Sequence, residues 1–105
     1  VRVNCIGPGN MATEMIAGLV TGDPDRVDEV EKAIAAGSPL PGRAGHAEDI
    51  ARAALYLASE DGAFVNGHTL VVDAGLTIGA GQGLPLFHER APMVREAGRR
   101  GIPVD

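Results

Sequence analysis

The stretch Val1–Thr13, VRVNCIGPGNMAT, constrains this chain most, because it joins a short apolar run, a Gly-Pro-Gly turn and a helix start. Val1, Val3, Cys5 and Ile6 have the β-branched, apolar texture of a strand buried on both faces of a parallel sheet, and Gly7-Pro8-Gly9 stops it. In open α/β sheets ligands lie just beyond the carboxyl ends of such strands, so the loop ending at Thr13 is the first candidate site.

Two patterns fit this loop. Gly7-Pro8-Gly9-Asn10-Met11-Ala12 matches the G-x-G-x-x-G/A of a dinucleotide fingerprint. That fingerprint also requires a second strand ending in an acid roughly twenty residues further on, where a carboxylate holds a ribose hydroxyl. The acids found there, Asp23 and Asp25, flank Pro24 at an expected helix start with no apolar strand before them. The second pattern takes Asn4, Pro8-Gly9 and Thr13 together: a glycine permits close backbone approach, a fixed proline keeps the loop from collapsing, and a hydroxyl stands beside them.

Downstream, Met15, Ile16, Leu19 and Val20 have helical spacing until Gly22-Asp23-Pro24 breaks it. Asp23 as N-cap and Pro24 at the first helical position predict a second helix with Val27, Val30 and Ile34 on its apolar face, a Gly37 stop, and an Asp28–Lys32 ion pair on the wet side. Ser38–Arg43 is too rich in Pro and Gly for helix or central strand. A third helix follows, with Glu48 and Asp49 in its first turn, an apolar stripe of Ile50, Ala54, Leu57 and Ala58, Tyr56 as a packing residue, and Gly62 beyond its end. A second strand lies within Phe64–Gly75, centred on the fully apolar Leu70–Val72. Two parallel strands separated by roughly sixty residues need a crossover, and the helices supply it.

These blocks together resemble the short-chain dehydrogenase/reductase family. Arg2-Val3-Asn4-Cys5-Ile6-Gly7-Pro8-Gly9 through Thr13 matches its R-V-N-x-I-x-P-G-x-x-x-T; Gly42-Arg43, Gly45, Glu48-Asp49-Ile50-Ala51 and Leu55-x-Leu57-Ala58-Ser59 match its G-R-x-G-x-P-E-D-I-A…L-x-L-A-S, with Ala47 in place of Pro. Phe64-Val65-Asn66-Gly67…Val72-Asp73-Ala74-Gly75 matches F-V-T-G…V-D-G-G, with Asn66 for Thr and Ala74 for the first Gly, both small changes. The resemblance covers residues 1–75 and implies the last two strands, with intervening helices, of a doubly wound, Rossmann-like parallel α/β sheet; residues 76–105 are expected to be an irregular tail or a subunit-contact arm. It implies NAD or NADP as cofactor, with Pro8 and Gly9 against the nicotinamide, the Met11 main chain at its carboxamide and the Thr13 hydroxyl completing the contact. It makes the first two helices a flap over an alcohol or carbonyl substrate, with Met11, Met15 and Leu19 as candidates to touch it, and the full enzyme a homo-oligomer.

The family's acid–base pair, Y-x-x-x-K on one helix, is not found: the one Tyr is Tyr56, followed four residues on by Glu60, and the one Lys is Lys32. The phosphate-binding turn and the catalytic helix are therefore expected upstream, and the start at Val rather than Met agrees with a piece of something longer. No catalytic residue is assigned. His46, His68 and His88 are too scattered for a metal site, and none is proposed. Ser38 and Ser59 lack a nearby His.

Net charge and composition narrow the partners. At 105 residues and 45% hydrophobic content the chain is one small domain or part of one, and −5 with 3% aromatics disfavours nucleic acid. No run approaches a membrane span. The single Cys5, in an apolar strand, is expected to be an inert core thiol in a reducing, cytoplasmic setting. Two other readings stand beside the oxidoreductase: a non-enzymatic interaction module pairing through an exposed sheet edge, and a nucleotide-binding fragment using Gly7–Ala12 on a phosphate.

Overall fold

A computed structural model describes residues 1–79. Two parallel strands, β1 (Cys5–Pro8) and β2 (Thr69–Val72), form the sheet, and between them run α1 (Glu14–Thr21), α2 (Val27–Gly37) and α3 (Ala47–Ala58). Register pairs Cys5 with Thr69 and Pro8 with Val72. This is the expected α/β arrangement, with α3 packed on both strands. No helix of the described residues is long and apolar enough to cross a membrane.

The strands are aligned before their ladder begins. Asn4 donates from Nδ2 to the Val65 carbonyl at 3.0 Å and accepts the His68 N–H on Oδ1 at 3.0 Å. Asn66 returns the favour, its Oδ1 taking the Val3 N–H at 2.9 Å, while the Gly67 N–H reaches the Val3 carbonyl at 2.7 Å. Two amide side chains, each bonding backbone across more than sixty residues of sequence, thus fix where β2 meets β1.

Several local expectations are corrected. The first strand begins at Cys5, and Val1, Val3 and Cys5 are exposed, because among the described residues β1 has a neighbour on one side only. The second helix begins at Val27, not at Asp23-Pro24. Asp23 spends its carboxylate on the Asp25 N–H at 2.9 Å, which makes a turn, and Arg26 occupies the N-cap with an ion pair to Glu29. Lys32 makes no ion pair with Asp28 among the described residues; Arg26–Glu29 takes that place. Gly37 is the last helical residue rather than a left-handed cap, since Ser38 follows at φ −72°. Gly22 is the left-handed C-cap, closing α1 at φ +80°.

Burial is sparse. Ala17, Val30, Ala44 and Leu57 are the buried apolar residues of the described part, so α3 buries Leu57 while Leu55 and Tyr56 face outward, Tyr56 being 44% exposed. Tyr56 is therefore not the packing residue its helix spacing predicts. Of the expected irregular tail or arm, 76–105, the first residues form a 3-10 turn at Leu76–Ile78, and residues 80–105 lie outside the described residues.

Ala74 departs from expectation in energy rather than in place. It stands in the left-handed region at φ +57°, where a side chain clashes with its own backbone, so Ala in place of Gly here is not a small change. Ala74→Gly is expected to raise stability by about 0.5–1 kcal/mol in urea unfolding of the protein carrying this chain; a loss would contradict the strain. Asn4→Ala removes two hydrogen bonds that align the strands and is expected to cost about 1–3 kcal/mol in the same measurement.

Candidate functional site

Beyond Pro8 the chain leaves the sheet along β2. The Gly9 N–H donates to the Val72 carbonyl at 3.0 Å, and a Cβ added at Gly9 would lie 2.5 Å from the Asp73 Cβ and 2.7 Å from its Cα. Glycine is required at position 9 by the end of β2 itself. The sequence reading assigned that need to a ligand.

Asp73 builds the other rim. Its Oδ1 accepts the Gly75 N–H at 2.9 Å and its Oδ2 the Thr77 N–H at 2.8 Å, holding the left-handed residues Ala74 and Gly75 and a 3-10 turn at Leu76–Ile78. The Thr77 hydroxyl and N–H, with the Gly75 N–H, keep its carboxyl below the usual carboxylate range. Sequence reading passed over this residue. An Asp at a strand end followed by small residues was the available signal.

Three contacts then pin the loop. After Gly9, the Ala12 N–H donates to the Gly45 carbonyl at 2.8 Å, with Met11 and Gly45 paired as an isolated parallel bridge. Gly45 makes this approach possible, because a Cβ there would meet the Met11 Sδ at 2.5 Å and the Asn10 carbonyl at 2.7 Å. Thr13 is the N-cap of α1, its Oγ1 accepting the Ile16 N–H at 3.4 Å, and its hydroxyl proton stays available as a donor. Between these points the Met11 N–H and C=O take part in no hydrogen bond among the described residues. Met11 thus presents one donor and one acceptor from a loop held at Gly9 and Ala12.

A cavity of about 340 Å³ opens beside Met11, walled by Ile34 of α2, Leu40, Arg43, Arg52 of α3 and Leu76. Arg43 is already paired with Asp49 at 2.6 Å. The Asp49 carboxyl is held below its ordinary range by the His46 N–H first and by Arg43 second.

Of the candidate cofactor and substrate residues, Met11 alone lines this cavity; Pro8 ends β1, Gly9 and Thr13 lie along the loop that follows, and Met15 and Leu19 stand on α1 at 70% and 75% exposure. Both α1 side chains are thus open to contact rather than buried filler. Tyr56 and Lys32 sit on separate helices, and neither lines the cavity. The arrangement can hold a planar polar group and supplies no acid–base pair among the described residues.

Comparison with known proteins agrees with the motifs. A family model described as enoyl-(acyl carrier protein) reductase matches residues 1–77. Short-chain dehydrogenase reductase ATA1 of Arabidopsis thaliana is 45% identical over 83 residues, covering 73% of this chain and 30% of that protein. Among solved structures, YwfH, an NADPH-dependent reductase involved in bacilysin biosynthesis, is similar at TM-score 0.55 and 35% identity over 71% of this chain and 29% of its own. A 7α-hydroxysteroid dehydrogenase complexed with NADH and 7-oxo glycochenodeoxycholic acid gives TM-score 0.55 and 35% identity over 70% of this chain and 26% of its own. The chain spans about 30% of the length of the first curated relative. With its strand–loop–helix motifs in the expected places and the match running from residue 1 to 77, this chain belongs to the short-chain dehydrogenase/reductase family.

Proposed function

We propose that this chain is the nicotinamide-side portion of an NAD(P)-dependent oxidoreductase that moves hydride between the cofactor and an alcohol or carbonyl substrate. The observation that carries this reading is the Met11 peptide, held between pinned points with its N–H and C=O unused among the described residues. A carboxamide offers the complementary acceptor and donor, and the Thr13 hydroxyl lies two residues further along the same loop. Pro8 and Gly9 bring the loop off the sheet and fix its height. When bound, the cofactor supplies the hydride; the chain's own part is to orient the ring's amide end and to cover the substrate with α1, where Met15 and Leu19 are exposed.

In this reading the phosphate-binding turn and the proton donor belong to an upstream part of the domain, which also covers the open side of β1 and the apolar Val1, Val3 and Phe64. Residues 1–75 are then the end of the domain and 76–105 an extension. The second edge, along Val71–Ala74, has no strand partner among the described residues and is the place for a second subunit to pair, as expected of a homo-oligomer.

Thr13 separates binding from capping. In the complete enzyme Thr13→Ser keeps both roles and is expected to bind NADH or NADPH as wild type does, whereas Thr13→Ala loses about 1 kcal/mol of helix capping and weakens cofactor binding several-fold. An Ala variant that is destabilised but binds cofactor unchanged would reduce Thr13 to a cap. Gly9→Val is expected to lower stability and turnover together, because the side chain strikes Asp73.

The 105-residue chain alone is expected to show no hydride transfer. A positioned proton donor is worth about 10²–10⁴ in rate, and none stands at the loop among the described residues. Purified chain is incubated with NADH and NADPH over a panel of ketones and absorbance is followed. Protein-dependent turnover abolished by Tyr56→Phe would overturn the assignment of the catalytic helix to an upstream segment.

A further inference from the structure

Among the described residues the flap is joined to the rest by little. Among the named elements α1 and α2 pack only on each other. Beyond the flanking Thr13 and Ser38, a single hydrogen bond within the described part links residues 14–37 to the remainder: His46 Nε2 to Glu31 Oε1 at 2.9 Å. Glu31 lies on α2, three residues before Ile34, which walls the cavity. His46 stands across the seam at the N-cap of α3, directly after Gly45.

His46 is well placed to hold something. Its own N–H donates to Asp49 Oδ2 at 2.9 Å, and Asp49 Oδ1 receives Arg43 Nη2 at 2.6 Å, so its backbone is fixed to α3 while its ring reaches α2. A carboxylate only accepts, so the ring Nε2–H is the donor. Both side chains are a little over 40% exposed, which makes the pair weak as a source of global stability. It is strong in leverage, because it closes the seam that begins at Gly45, whose carbonyl holds the Ala12 N–H, and the loop carrying Met11.

We propose that Glu31–His46 is the latch that holds the α1–α2 flap against the Met11 loop. His46 is then a positioning residue for the reaction proposed above, and that part of the inference rests on that reading. Breaking the latch frees the flap without unfolding the sheet, so substrate is held less well while the chemistry of a properly closed complex is unchanged.

The test uses the complete enzyme with Glu31→Ala, His46→Ala, the double variant and Glu31→Gln, which keeps an acceptor for the ring N–H. Amide hydrogen exchange is read over residues 14–37 and over β1, β2 and α3, and KM and kcat are measured with NADH or NADPH and the fastest ketone of the panel. The two single Ala variants are expected to speed exchange in 14–37 by about two- to fivefold, the range an exposed pair supports, and to leave the strands and α3 unchanged. The double variant is expected to be no worse than either, and Glu31→Gln to restore most of the protection. KM for the ketone is expected to rise with kcat nearly constant. Unchanged exchange in 14–37, or effects that add in the double variant, would overturn the latch; a kcat loss without a KM change would overturn its role in holding substrate. A wild-type enzyme with no cofactor-dependent turnover but with the coupled exchange effects would overturn the oxidoreductase reading and leave the latch standing.

Discussion

Everything in this structure depends on the close approach of Gly9 to Asp73. Two parallel strands far apart in sequence are laid side by side, and where they end the backbone of one passes so close to Asp73 of the other that position 9 has no room for a Cβ. That contact sets the height at which the chain leaves the sheet. The Gly9–Val72 hydrogen bond, the Met11–Gly45 bridge and the Thr13 cap follow within five residues, so the loop has no freedom to drift. A second glycine, Gly45, repeats the device against Met11.

Rigidity of this kind is costly in sequence and useful in chemistry. A residue lying between the engaged Gly9 and Ala12 N–H groups, whose own N–H and C=O are not bonded among the described residues, is set to recognise an amide without rearranging first. The same principle runs through Asp73, whose carboxylate holds a turn with a strained Ala74 in it. Because Asp73 and Asp49 both have carboxyl groups depressed by hydrogen bonds in the folded chain, their contributions are complete above the usual carboxylate range and disappear as pH falls through the depressed values. Strong acid therefore removes the contributions of both carboxylates, at the rim of the loop and at the start of α3.

Much of the fold was legible in the sequence, and the reasons are physical. Apolar runs ended by Gly or Pro marked the strands near their true places, and helical spacing marked α1 and α3, where Thr13 and the acids Glu48 and Asp49 reinforce the start. What misled was local chemistry with two uses. Asp23-Pro24 is as good a turn as a helix start, and the turn won because the Asp23 carboxylate found the Asp25 N–H. Exposure was misjudged for Val1, Val3, Cys5 and Tyr56: among the described residues β1 has one strand neighbour, and α3 buries Leu57 rather than Tyr56. At the site, Gly9, Met11 and Thr13 do share the loop that leaves β1 at Pro8, but the demand on Gly9 comes from β2, and although Gly45 and Asp73 fall within the motifs, nothing in those motifs says that they hold this loop.

The free Met11 peptide is the centre of the functional reading, and a crystal structure of the complete protein with NADH or NADPH tests it most directly. The result expected is a nicotinamide carboxamide within about 2.7–3.2 Å of the Met11 nitrogen and oxygen, with the Thr13 hydroxyl beside it. A Met11 peptide bonded instead to another part of the protein, with the nicotinamide lying elsewhere, would contradict it.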